Sequence, residues 1–261
     1  MKRIVMFLLL SLILAVTALA QDKPKDDATK GEAKPEAKAG APLPSVDAIL
    51  DKFVVAMGGK DALQKLTSRT VKGSFEIEAM SVNGTFENFS KAPDKNATVI
   101  QVPNFGTINN VYDGAKGWSS DPMSGLRELG GAELAATKRE ADFYLPLNFK
   151  KNFQKLEVVG KEKVAGSEAY VVQVTPAEGG TEKFYFDAAS GLIVKHDAER
   201  DNPQGKIPVE LFFEDYKAVD GVKVAHTLKQ VTPMFAMTIK FVEVKHNSEI
   251  EAKTFNKPAG N

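Results

Sequence analysis

The chain contains no cysteine, only three histidines and a single tryptophan. Without cysteine there is no thiol nucleophile, no disulfide, no thiolate zinc site and no iron–sulfur ligation. A lipid-modified cysteine as a membrane anchor is excluded as well. The histidines, His196, His226 and His246, are far apart in sequence, whereas zinc sites take ligands in short-spaced pairs. No metal and no cofactor are expected. Asp197 and Asp201, near His196, read as solvated turn charges.

Charge of one sign is also missing. Lysine and arginine number 34, as do aspartate and glutamate. This balance lacks the basic footprint of a nucleic-acid binder and the cationic patch that holds proteins on anionic membranes. The sequence has no G-x-S-x-G elbow and no P-loop or dinucleotide fingerprint. Glu76 with Glu78, and Glu214 with Asp215, are carboxylate pairs of the kind common on strand surfaces, so an enzyme is not expected. Three N-x-[ST] matches, at Asn83, Asn88 and Asn96, read as polar turn and strand residues.

Only one long apolar run occurs, from Ile4 to Val16. Lys2 and Arg3 precede it and Ala18-Leu19-Ala20 follows, the pattern of an export signal cleaved between Ala20 and Gln21. The alternative, an uncleaved anchor, needs about 20 apolar residues. Cleavage places the protein in the periplasm, with secretion as second choice, and leaves the mature form without a stable membrane anchor. Gln21 to Pro44 is rich in Lys, Asp, Glu, Ala, Pro and Gly, with Leu43 its only large apolar residue. It buries too little to offset its ordering entropy and reads as a disordered linker.

Order is expected over residues 45–258. Ser45 is a good N-cap; Val46, Ile49, Leu50, Phe53, Val54 and Met57 follow at helical spacing; Gly58-Gly59 ends the helix. A short second helix fits Lys60 to Leu66. Val71, Gly73, Phe75, Ile77 and Ala79 then alternate with polar residues as a half-buried strand, and Asn83-Gly84 has the form of a tight hairpin turn. Further strand patterns fill the chain to Lys245, bounded by turns such as Asp113-Gly114 and Asp220-Gly221. Gly131 to Phe143 reads as a helix between two groups of strands. Short strands joined by hairpins imply an antiparallel sheet, hence one α+β domain with helices over one face.

Several motifs resemble those of the outer-membrane lipoprotein carrier (LolA-like) superfamily. Lys91-Ala92-Pro93 matches its basic-x-Pro step. Tyr112-Asp113-Gly114 with Trp118 matches its aspartate–glycine turn and aromatic. Phe184-Tyr185-Phe186-Asp187 with Ser190-Gly191-Leu192 is similar to a strand–turn–strand of the sheet's second half. Where that family commonly has an arginine after the basic-x-Pro step, this chain has Lys95 and Asn96. With a leading helix and roughly eleven antiparallel strands, the resemblance implies a mostly antiparallel sheet curved into an incomplete barrel, covered on its concave face by a few α-helices. It also implies an apolar cavity that receives lipoprotein acyl chains or other lipid.

The residues expected to line that cavity are Phe53, Met57, Phe86, Phe89, Trp118, Met237, Ile239 and Phe241, with Met234 nearby. Methionine suits irregular ligands. Phe86 and Phe89, three apart on a strand, point to opposite faces. Phe75 and Ile77 read as core. The alternative is an envelope interaction module with a filled core and a protein partner; a hydrolase would need two acids converging on a cleft.

Overall fold

The computed structural model describes residues 42–202 and 205–259. The expected leader, the expected Ala20–Gln21 cleavage and the part of the expected linker up to residue 41 lie outside the described residues. Helix α1 (Val46–Ala56) starts where expected, the Ser45 side chain accepting the Ala48 amide at 3.2 Å. Its apolar stripe puts Ile49, Leu50 and Phe53 inside, at 4–6% exposure. It ends at Gly58, whose φ of +121° favours glycine. A Cβ there would also fall 2.2 Å from the Gly221 carbonyl oxygen. Helix α2 (Lys60–Gln64) follows.

Thirteen strands form one antiparallel sheet. The first group is β1 (Ser68–Ile77), β2 (Val82–Lys91), β3 (Lys95–Val102), β4 (Gly106–Tyr112), β5 (Gly117–Asp121) and β6 (Gly125–Glu128). Helices α3 (Gly131–Ala141) and α4 (Leu145–Asn148) come next. The second group is β7 (Lys155–Val164), β8 (Ser167–Thr175), β9 (Glu182–Asp187), β10 (Ile193–Asn202), β11 (Gly205–Val219), β12 (Val222–Val231) and β13 (Ala236–His246). Each group is a meander, and β1 pairs with β13 to join them, leaving β6 and β7 as the two edges.

The curl of this sheet follows from α3. Arg127 on β6 pairs with Glu133 of α3, and Glu182 on β9 pairs with Arg139 at the other end of the helix. Those strands are ten places apart in the order. In a flat sheet that is on the order of 48 Å, whereas an 11-residue helix is only about 16 Å long. The sheet must bend around α3 into an incomplete barrel with a concave, helix-bearing face.

Two local expectations give way. Asn83-Gly84 is not the hairpin turn but lies inside β2; the turn is Glu78–Met80, closed by Ser81 at φ +53°. Gly84 is required for space instead, since a Cβ there would sit 2.0 Å from the Gln101 carbonyl oxygen and 2.6 Å from the Phe75 ring. The short edge strand β6 carries no clear alternation and was not anticipated. The helix expected over Gly131 to Phe143 stops at Ala141.

Candidate functional site

Paired residues on neighbouring strands share a face, as do residues two apart on one strand. The register therefore lays out the concave face in cross-strand rows. One row is Ile239, Phe75, Gly84, Val102 and Gly106 across β13, β1, β2, β3 and β4. The next is Phe241, Gly73, Phe86, Ile100 and Ile108, followed by Val244, Val71, Asn88, Thr98 and Asn110. The last is His246, Arg69, Ser90, Asn96 and Tyr112. Along the strands the floor of the half-barrel thus passes from apolar to polar.

Cover over this floor is uneven. Beneath α1 the face is sealed: Val172 and Val174 are 0% exposed and Phe186 1%. The Phe53 ring meets Phe186 edge-on at 5.4 Å, and Phe149 meets Phe184 at 4.9 Å. At the apolar end Phe75 and Ile77 are buried, with Met80, Phe105 and Phe235 packed around them. Between these regions Ile100, Phe213, Leu228, Met237, Phe241 and Val244 remain half-exposed, although they stand in central strands of a thirteen-stranded sheet.

Of the residues expected to line a cavity, Phe86, Met237, Ile239 and Phe241 come together, with the Phe86 and Phe241 rings stacked at 5.8 Å. Phe53 and Met57 belong to the α1 core, where Phe53 fills space rather than lining a mouth. Phe89 and Trp118 are on the opposite face. They cluster with Ala97 and Val111 under Ile250 and Phe255 of the carboxyl-terminal segment. That segment follows the last strand with no periodic pattern, so its role as a cover for Trp118 left no sequence signal. Met234 is exposed in the β12–β13 turn.

The histidines go to three separate places. His196 Nε2 hydrogen-bonds Glu182 at 2.7 Å and its ring stacks on Phe184 at 3.9 Å. His226 Nδ1 meets the Val224 carbonyl and its ring faces Phe241. His246 Nδ1 lies 3.2 Å from Asp220. Asp197 and Asp201 fall within β10 rather than in a turn. Asp197 accepts the Tyr185 hydroxyl at 2.7 Å and pairs with Lys195.

Two charged groups stand out at the concave face. The first is Glu182, which is 5% exposed and takes Arg139 at 2.9 Å, His196 at 2.7 Å and Arg200 at 3.5 Å. Burial alone would raise its pKa; the His196 hydrogen bond and the Arg200, His196 and Arg139 charges outweigh that and hold it below the usual carboxylate range. Arg200 also binds Glu140 of α3 at 2.6 Å. A polar cleft of about 190 Å³ lined by Thr137, Arg139, Glu140, Glu182 and Arg200 lies there, between α3 and the sheet.

The second is Arg69, missed by sequence reading because it looks like one more polar residue of an alternating strand. Its guanidinium lies 5.7 Å from the Phe143 ring centre, and burial lowers its pKa. Its Nε is sealed from solvent without a partner, as is Nε2 of His246, the residue directly opposite on β13.

No protein-family model matches the sequence, and no match was found among curated proteins. Solved structures share its fold. A DUF1329 family protein from Desulfovibrio piger superposes with a TM-score of 0.55 at 14% identity, over 81% of this chain and 97% of that one. A LolA superfamily protein from Nitrosomonas europaea gives 0.54 at 13% identity, over 82% and 99%. A putative outer membrane lipoprotein-sorting protein domain from Vibrio parahaemolyticus gives 0.53 at 12%, over 80% and 97%. The architecture is LolA-like. No helix among the described residues is long and apolar enough to cross a membrane.

Proposed function

We propose that this protein is a periplasmic carrier that shelters an acyl chain, of a lipoprotein or another lipid, in the hollow of its half-barrel. Burial of the chain drives binding, without covalent chemistry or a cofactor. The observation that carries the reading is the contrast along one face: apolar side chains are sealed beneath α1, whereas Ile100, Phe213, Leu228, Met237 and Phe241 stand half-open in the middle of the sheet. The LolA-like fold of solved structures, one of them named for lipoprotein sorting, supports it.

The energetics suit a carrier. Each buried methylene contributes about 0.8 kcal/mol, so about ten of them contribute roughly 8 kcal/mol, against association costs of several kcal/mol. The balance gives reversible binding, which handing over a cargo requires.

Displacement of a fluorescent fatty acid from the purified protein tests the reading. Phe241→Asp should weaken binding by at least ~10-fold, since a carboxylate then faces the chain, while the far-UV circular dichroism stays native. Phe53→Asp should unfold the domain, because α1 fills its site completely. Absence of binding by the wild-type protein, or unchanged binding by Phe241→Asp, overturns it.

A further inference from the structure

Buried polar atoms almost always find partners, and each exception needs a reason. Among the described residues five buried side-chain nitrogens and oxygens have no hydrogen-bond partner, one of them, Asp197 Oδ1, being ion-paired with Lys195. Two of these, Arg69 Nε and His246 Nε2, belong to residues paired face to face across β1 and β13. Arg69 makes no ion pair with any described residue, although a guanidinium taken out of water ordinarily acquires a carboxylate. Its guanidinium lies over the face of Phe143 instead. The residue nevertheless keeps part of its surface open. It is a cation held on the floor of the hollow with its hydrogen-bonding capacity unspent.

The neighbours on that floor are already satisfied by one another. Ser90 donates to Asn88 at 3.0 Å, Asn96 donates to Ser90 at 3.0 Å, and Asn88 donates to Thr98 at 2.9 Å. This amide and hydroxyl network leaves Arg69 without an acceptor. One strand step further along lie Val71 and Val244, and beyond them the stacked rings of Phe86 and Phe241. The distance from the Arg69 row to the Phe86 row is four residues along β1, about 13 Å. An acyl chain with a charged end spans such a gradient.

We propose that Arg69, with His246 beside it, binds an anionic head group, a carboxylate or phosphate joined to the acyl chain that lies over Phe86 and Phe241. The inference rests on the carrier reading and names its class of cargo: an anionic amphiphile, held head towards the helical end of the half-barrel. Arg69 presents a planar fork of donors suited to an oxyanion. Next to it His246 is held neutral, its pKa lowered by burial and by the Arg69 charge against the opposing pull of Asp220. An anion seated between them would reverse the balance around His246 and favour its protonated, donating form.

The test compares ligands with one chain and different heads on the purified, delipidated protein: oleate, oleoyl lysophosphatidate, the neutral monoolein, and inorganic phosphate alone. Wild-type protein should prefer both anionic lipids to monoolein by ~10- to 100-fold, the range of charge-assisted hydrogen bonds. Arg69→Gln should lose that preference and bind monoolein as before, and Arg69→Lys should recover part of it. Histidine NMR should show the His246 pKa rising with oleate and not with monoolein. Equal affinities for charged and neutral lipids, or an undiminished preference in Arg69→Gln, overturn the inference and leave the carrier reading standing. Failure of all three lipids to bind removes both. Inorganic phosphate binding as tightly as lysophosphatidate would make this a free-anion site and overturn the amphiphile.

Discussion

The sharpest consequences at the scale of single residues come from groups that pay for burial without full compensation. Arg69 is desolvated with no carboxylate partner, and a ring face offsets on the order of 2 kcal/mol of that. Arg69→Met should therefore leave thermal stability unchanged or raise it, which scanning calorimetry would show; a loss of several degrees would mean that Arg69 is a structural residue. His246 carries a pH dependence of definite sign. Its folded-state pKa lies below the unfolded value near 6.5. Its contribution is complete above that value and is lost as pH falls through the lower, folded pKa. Melting temperatures of the wild type should drop between about pH 7 and 5 by more than those of His246→Gln. Equal slopes would contradict the assignment.

Residue-scale features were legible where local chemistry determines them. Ser45, Gly58 and the Ile49–Leu50–Phe53 stripe were all readable from a window of a dozen residues. Which side of the sheet becomes the hollow was not. Phe89 and Trp118 are as apolar as Phe86, and only the register, together with the carboxyl-terminal segment that covers them, assigns them to the outer face.

At the scale of elements, α1 and α3 have different characters. The first is a plug of large apolar side chains, and Phe53→Ala should cost about 3–5 kcal/mol in urea unfolding. The second buries little and is tied down by charge, by Arg127–Glu133 at one end and by Arg139–Glu182 and Glu140–Arg200 at the other. Glu182→Gln leaves Arg139 and His196 facing an amide in a buried site, a loss of about 3 kcal/mol. Hydrogen exchange should show faster opening of α3 with β1 and β13 unaffected. Exchange unchanged in α3 would mean that the ion pairs do not hold it. Sequence periodicity located α3 but not its purpose, because a helix held by long-range ion pairs has no apolar stripe to reveal its contacts. The Asn83-Gly84 pair shows the converse: a strong turn signal yielded to tertiary crowding, since only glycine fits between Phe75 and Gln101.

For the whole molecule, the succession of hairpins could be read from turn residues, and with it the antiparallel meander. The pairing of β1 with β13 could not, because the two strands are separated by most of the chain and no local pattern records their contact. That pairing places Arg69 opposite His246 and Phe241 next to Phe86, and so it creates the graded floor on which the functional account depends. The central claim is that this floor carries an apolar chain in the cell. Native mass spectrometry of the protein purified gently from its own host measures this directly. The account predicts a population heavier than the bare chain by the mass of an acyl lipid, released on activation and absent from Phe241→Asp. A single species at the mass of the bare polypeptide, with wild type and variant alike, would contradict it.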